Sequence, residues 1–594
     1  MADLSEKTKE TLLPTQSEEG LHEDAASATR RSWRKSTDAL LFINVIVVSF
    51  IWLYHKGAFH TTSEYQPDGL EAQDASPFAW RRCPHSKDDR WRCGRLHVPM
   101  DYLNKSDHRT FQLETVLFAP SPDRKAERTI MVNPGGPGGS GVGYAWGRAE
   151  EISQRYSNST FNVLGWDPRG VNATLPQMAC FPDNAYRDRW SALGVAAWRQ
   201  PGDKEAELRE HDATNEALMK VCRAKFGDVP RFLSTASVAR DIDAIREALE
   251  EETMTYYGVS YGTGLGETAM QMFPARAGRM IIDALEDIRD GRTTDGFGTA
   301  ALHDIEKAWK HGFLGECAKA GPDYCALAQS TNETAEALEA RMKKLLDSLL
   351  YRPQPAYHRD LGPAVIRYQD MVDTIYGALY RPVSEWTRLA QSLAGLERGN
   401  GTLALELIER NLFVQHPEVR GPKRKKADDT EVLVVCSDQY DAEHPGLEWY
   451  LHKWQQMDDR SWIGGNSRFS DILPCRHFDW TPSEVYRGNL SHSLRTPALL
   501  IAETHDPATP LVNGRRLFQE MGSDNARLVV HHGFGHGSNS GGYSEECTEK
   551  IKRHYMMTGE LPEDDETQCY VRGSPFIAAV SFSGDGIEGG AWDA

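Results

Sequence analysis

The chain carries one G-x-S-x-G pattern, Gly258, Ser260 and Gly262, inside YYGVSYGTG. A serine between two glycines at that spacing suits a nucleophile elbow. The glycines admit a tight strand-to-helix turn that lifts the hydroxyl clear of a sheet. The bare pattern also fits a Gly-rich turn holding an ordinary serine, so its surroundings decide. Three further pieces of an acyl-transfer site come in the expected order. MVNPGGPGGSG (131–141) can turn backbone N–H groups toward a reacting carbonyl, with the amides of Gly136 and Tyr261 as the expected oxyanion donors. No GK[ST] follows, which disfavours a phosphate cradle. Asp506 lies in IAETHDPATP and His536 in HHGFGHGS. Ser, then Asp, then His is the α/β-hydrolase chain order. His505, His531 and His532 compete with His536, but glycines on both sides of His536 favour it as a loop-borne base. In this assignment Ser260 attacks a carbonyl carbon and His536 takes and returns the proton. Asp506 fixes the imidazole tautomer and stabilises the imidazolium. With no H-E-x-x-H and no zinc-ribbon cysteine spacing, neither a metal nor a cofactor is expected.

These residues need a scaffold, and the apolar runs supply one. RLHVPMDY and TFQLETVLFA, separated by the turn-rich NKSDHR, predict an antiparallel pair. TIMVN (129–133), FNVLGWD (161–167), TMTYYGVS (253–260) and RMIIDAL (279–285) predict short buried strands, and PALLIAET (497–504) and ARLVVHHG (526–533) two more. Within SVARDIDAIREALEE, Val238, Ile242, Ile245 and Leu249 form one helical stripe. Strands alternating with helices imply a mostly parallel sheet. From about 300 to 470 the chain reads as chiefly helical, an inserted cap and not a separate module. The fold class is therefore an α/β-hydrolase core split into 77–300 and 471–572 around a helical cap at 301–470, with a C-terminal tail at 573–594. The basic KRKK at 423–426 reads as a solvated loop.

At 594 residues the chain allows three or four domains, or one large domain with an insertion. Its formal charge of −19 opposes nucleic-acid binding, and its hydrophobic content of 40% excludes a wholly disordered or collagen-like chain. Residues 1–36 are polar and predict a disordered cytosolic tail. The apolar run 39–54, with Thr37 and Asp38 ahead of it, predicts a transmembrane signal anchor at 37–54. Arg30, Arg31, Arg34 and Lys35 before the run, against Lys56 after it, place the N-terminus in the cytosol. A cleaved signal peptide or a buried core helix are the alternatives. The long polar lead and the following HKGAF fit the anchor better.

Residues 55–76 then form a stalk, giving a single-pass type II membrane protein with its catalytic domain lumenal or extracellular. All ten cysteines lie beyond the run, and sequential pairing is the simplest arrangement: Cys83–Cys93, Cys180–Cys222, Cys317–Cys325, Cys436–Cys475 and Cys547–Cys569. Six N-x-S/T sequons, at Asn104, Asn158, Asn172, Asn332, Asn400 and Asn489, point to glycosylation on the same side.

CGRLHVPMDY, VNPGGPGGSG, GWDPRGV, the ARDIDAIR helix, GVSYGTGLG and GFGHG together resemble the tripeptidyl aminopeptidase-like branch of the proline iminopeptidase relatives, over about residues 83–572. The resemblance implies a capped α/β-hydrolase that releases residues or short peptides from free N-termini. It carries over Ser260, Asp506 and His536 as the triad and the 135–138 loop as the oxyanion hole. Two departures stand out: Asn133-Pro134 where the iminopeptidase form has a His before GGPG, and IIDALED where a Gly is expected soon after the Asp. An exopeptidase needs a carboxylate for the substrate ammonium, because an unpaired buried charge is costly. Asp438, Glu286 and Asp287 are the candidates. The partner is thus a peptide, or a small acyl substrate if the same triad serves an esterase, lactonase or thioesterase. A non-catalytic binding protein retaining the fold is the remaining alternative.

Overall fold

Short runs of β-branched and aromatic residues, alternating in the face they present, build the sheet on which the site rests. A computed structural model describes residues 76–84, 86, 88–191, 203–293, 296–411, 428–440, 445–540 and 546–577. The tail, the anchor, nearly all of the stalk, KRKK and residues 578–594 lie outside these. Among the described residues no helix is long and apolar enough to cross a membrane.

The strands are β1 (Arg81–Arg82), β2 (Trp91–Pro99), β3 (Thr110–Phe118), β4 (Thr129–Asn133), β5 (Asn162–Trp166), β6 (Met254–Val259), β7 (Ala277–Asp283), β8 (Gln354–His358), β9 (Gly362–Ile366), β10 (Ala498–Glu503), β11 (Ala526–His532) and β12 (Glu566–Tyr570). Ten of them form one sheet in the order β1-β2-β3-β5-β4-β6-β7-β10-β11-β12. The β1–β2–β3–β5 edge pairs antiparallel; from β5 to β12 every pairing is parallel. Parallel strands end on one edge of the sheet, so the loops after β4, β6, β7, β10 and β11 emerge side by side. That edge is where ligands of open α/β sheets bind.

Strand alternation divides the core into two faces. Met131, Tyr256 and Leu528 pack on one side, with the helices Thr235–Ala248 and Tyr261–Met272. Val132, Tyr257 and Val529 pack on the other, with the helices Gly141–Ser157 and Glu546–Thr558. β7 and β10 are neighbours in the sheet although a long, mainly helical stretch separates them in the chain. That stretch has its own apolar cluster around Trp309, Phe313, Trp386 and Trp454, and includes the β8–β9 hairpin. Two elements cross the boundaries drawn from the sequence. The helix Thr430–Asp438 packs Leu433, Val434 and Val435 into the main core and is tied to Cys475 through Cys436. The helix Lys204–Phe226 gives Leu208 to the cap cluster and Met219 and Cys222 to the main one.

All five disulfides join cysteines in sequential pairs, Cys83–Cys93, Cys180–Cys222, Cys317–Cys325, Cys436–Cys475 and Cys547–Cys569. Such a set belongs to an oxidising, extracellular or secretory environment.

Two of the sequence motifs serve the scaffold. Arg169 of GWDPRGV is fully buried and grips Asp241 of ARDIDAIR at 2.8 and 2.6 Å, while also donating to the carbonyls of Met100 and Phe232. Asp167 of the same motif accepts from Ser140 Oγ at 2.5 Å and from the Val142 amide at 3.2 Å, fixing the end of the Gly-rich loop to the helix it opens. Burial raises the Asp167 carboxyl to about 6, against the pull of these donors.

Candidate active site

β6 ends at Val259, and Ser260 turns the chain into the helix Tyr261–Met272 with φ 60° and ψ −132°. A non-glycine residue held there is strained, and such strain persists only where the surroundings enforce it. They do so through close backbone approach. A Cβ on Gly258 would collide with the Gly262 carbonyl, and one on Gly262 would come within 2.7 Å of the Asn133 carbonyl. Both glycines of the pentapeptide are therefore required. Ser260 itself is half-buried.

The loop after β4 lies directly on this turn. Gly135 has φ 100°, and a Cβ there would sit 2.7 Å from Ser260 Cβ and 3.0 Å from the Tyr261 amide nitrogen. Asn133 is buried and accepts from the Gly135 amide at 2.9 Å, which accounts for an Asn before the Gly-rich run. Among the described residues the amides of Gly136 and Tyr261 donate no hydrogen bond, and Tyr261 opens a helix whose N-terminus favours negative charge.

Asp506 follows β10 and is completely buried. It accepts from the amides of Ala508 and Thr509 at 2.8 Å each, from Thr509 Oγ1 at 2.8 Å and from the Gly537 amide at 3.0 Å. His536 follows β11, and its Nδ1 lies 2.9 and 3.0 Å from the two Asp506 oxygens. Its Nε2 is buried with no hydrogen-bond partner. The neighbouring Gly537 faces the end of β6, since a Cβ there would lie 3.6 Å from Val259 Cγ1. From the cap, Tyr380 sets its ring edge-on to the imidazole at 4.9 Å, and its carbonyl accepts from the His536 amide at 3.1 Å. Arg468 holds Tyr380 and Tyr376 by their hydroxyls at 2.8 and 2.7 Å.

The competing histidines are otherwise engaged. His505 Nδ1 meets the Gly533 carbonyl at 3.1 Å. His531 is buried against Thr548, and desolvation pushes it down to about 4, so it stays neutral. His532 stacks on Tyr570. Asp283, which the sequence did not single out, accepts from the Ser538 amide at 3.0 Å and Ser538 Oγ at 2.6 Å, while its carbonyl accepts from the Ser260 amide at 3.3 Å. Its place at the end of the strand beside the one that ends at Ser260 was the available signal. Next to it Ala284 has φ 67°, the conformation for which a glycine is expected at that position.

Of the acidic candidates, Asp438 is committed to the Thr235 amide at 2.9 Å and to Thr235 Oγ1, which in turn meets the Tyr261 hydroxyl at 2.6 Å. Asp287 pairs with Arg516 at 2.9 Å. Glu286 lies beside the first turn of the helix Tyr261–Met272. Among the described residues no group of three or more His, Cys, Asp or Glu could hold a metal ion.

The sequons divide. Asn104, Asn158, Asn332, Asn400 and Asn489 are exposed. Asn172 is not available in the same way: its Nδ2 donates to Asp167 at 2.7 Å and to Ser140 Oγ at 3.2 Å. The nitrogen that a glycan would occupy is part of the brace behind the Gly-rich loop.

A family described as alpha/beta hydrolase fold matches residues 128–313, and one described as TAP-like protein matches residues 461–569. The tripeptidyl aminopeptidase of Streptomyces coelicolor is 32% identical over 504 residues, covering 81% of this chain and 84% of its own. The chain belongs to the tripeptidyl aminopeptidase family of α/β-hydrolase serine peptidases. It is a serine hydrolase. Two further relatives of this family member come from Mycobacterium tuberculosis. Serine protease Hip1 is 26% identical over 481 residues (79% of this chain, 86% of its own), and carboxylesterase B is 24% identical over 488 residues (79% and 85%).

Proposed function

We propose that this family member is an exopeptidase that releases residues or short peptides from free N-termini through an acyl-enzyme. Ser260 is the nucleophile, His536 the general base and then acid, and Asp506 the group that orients and stabilises the imidazole. The amides of Gly136 and Tyr261 receive the oxyanion, worth about 2.7–4 kcal/mol per donor in the transition state. The observation that supports this most directly is the His536 imidazole. Its Nδ1 is clamped by buried Asp506, while its Nε2 is buried and unbonded. A base in that state has one open position, and Ser260 stands in a strained turn at the end of β6, the strand end that Gly537, next to His536, faces.

The free-N-terminus preference draws on the 32% identity to a protein named tripeptidyl aminopeptidase. The relative named carboxylesterase B favours a second reading, in which the same three residues cleave small acyl esters. Aminoacyl and tripeptidyl amides with free and acetylated N-termini, assayed beside short acyl esters, separate the two. The exopeptidase turns over free-N-terminal amides and discriminates against their acetylated forms; turnover of esters alone would overturn it. The anchor at 37–54, the lumenal or extracellular placement and glycosylation of the five exposed sequons complete the proposal. They are supported by the apolar run with its flanking cations and by the paired cysteines beyond it. A mobility shift on deglycosylation together with sodium-carbonate-resistant membrane association tests them.

A further inference from the structure

We propose that Glu286, backed by Glu267, is the subsite that takes the α-ammonium group of the substrate, an inference that rests on the exopeptidase reading above. Glu286 follows β7, and its carboxylate lies across the first turn of the helix that Ser260 opens. A Cβ on Gly264 would collide with Glu286 Oε2, and one on Gly291 would sit 3.2 Å from Oε1. Two glycines thus leave this carboxylate room. Among the described residues it makes no hydrogen bond or ion pair, whereas Asp438 and Asp287 both do.

The second observation is Glu267. It sits three residues beyond Gly264 on the same helix, hence on the same face. It is 1% exposed, and neither carboxylate oxygen has a hydrogen-bond partner. Leaving a buried carboxylate unpartnered is costly, and the nearby guanidinium does not bond either acid. Arg292 donates instead to Thr268 Oγ1 at 2.8 Å and to the Tyr486 carbonyl at 2.7 Å. The group that completes this place is a cation with N–H donors, which is what a peptide N-terminus offers. Gly264 is one helical turn from Ser260, roughly 5.4 Å along the axis, which sets the carboxylate beside it about one short peptide's length from the nucleophile.

The electrostatics agree with the geometry. Burial raises the Glu286 carboxyl to about 8, with Asp438 and Asp287 adding to the rise and Arg292 and Arg468 opposing it. Burial, then Glu286, raises Glu267 further. At neutral pH the empty site therefore retains protons, and an arriving ammonium ion releases one to solvent as the carboxylate ionises.

The test is the ratio of kcat/KM for a free-N-terminal amide to that for its acetylated form, measured on the full chain. Glu286→Gln keeps shape and removes the charge; it should cut the ratio by roughly 10²–10³ through the free substrate alone. Glu286→Asp, with the carboxylate one methylene further back, should recover part of the loss. Glu267→Gln should lower the ratio less and move the pH at which KM falls. A Glu286→Gln protein with wild-type melting that keeps the full ratio would overturn the proposal. So would Glu286→Asp and Glu286→Gln behaving alike. A wild-type ratio near one would instead refute the exopeptidase reading, and would do so before any variant is made.

Discussion

Lys552 Nζ lies 3.0 Å from Asp283 Oδ2, and both side chains are buried. Asp283 also bonds Ser538, two residues beyond His536, and its carbonyl bonds the Ser260 amide. One ion pair between the last strand residue before Ala284 and the C-terminal helix Glu546–Thr558 therefore braces both ends of the proposed Ser–His pair. Burial pulls the Asp283 carboxyl upward, but Lys552 and the Ser538 donors outweigh it and hold it below the ordinary value.

Removing the cation should strand that carboxylate. Lys552→Met is expected to cost about 3–5 kcal/mol, and the double variant Asp283→Asn/Lys552→Met less than the sum of the two singles. Chemical denaturation of the four proteins measures the coupling. Because the folded Asp283 value is depressed, its contribution is present above its unfolded value of about 3.9 and is lost as pH falls through the folded value. Acid unfolding of Asp283→Asn should accordingly be less steep than that of the wild type.

Gly135→Ala addresses the loop that packs on Ser260. Its new Cβ would press on Ser260 Cβ and the Val259 carbonyl at 2.7 Å, at a φ of 100° that L-residues avoid. A fall in kcat of at least about 10²-fold is expected, the scale of one lost oxyanion donor, with KM changed far less. Steady-state kinetics on any cleaved amide or ester reads this; an unchanged kcat would remove the loop from the mechanism.

Glycan mapping should find Asn172 unoccupied while exposed sequons such as Asn332 and Asn489 carry sugar. Peptide mass spectrometry after enzymatic deglycosylation reports occupancy site by site. Sugar on Asn172 would contradict the hydrogen bonds that its Nδ2 makes to Asp167 and Ser140.

Much of this arrangement was legible in the sequence because the signals are local. The apolar runs gave β4, β6, β10 and β11 to within a residue or two, and the stripe through Val238, Ile242 and Ile245 gave the helix Thr235–Ala248. The helix Lys204–Phe226 was not legible. It is polar nearly all round, burying only Leu208, His211, Met219 and Cys222. Nor could the sequence pair Lys552 with Asp283 or leave Glu267 without a partner, since those depend on chain segments that meet only in the folded state. The spacing that put Asn172 among the sequons says nothing about which atom its amide bonds. The sequence likewise assigned the helix Thr430–Asp438 to the cap, whereas its apolar face and the Cys436–Cys475 bond fix it to the main core.

The central claim, that Ser260, His536 and Asp506 act as one unit, is tested most directly by fluorophosphonate labelling followed by intact-mass and peptide analysis. The account predicts a single adduct on Ser260 in the wild type, none in Ser260→Ala, and labelling slowed by orders of magnitude in His536→Ala and Asp506→Asn. An adduct on another residue, or a His536→Ala protein labelled as fast as the wild type, would contradict it.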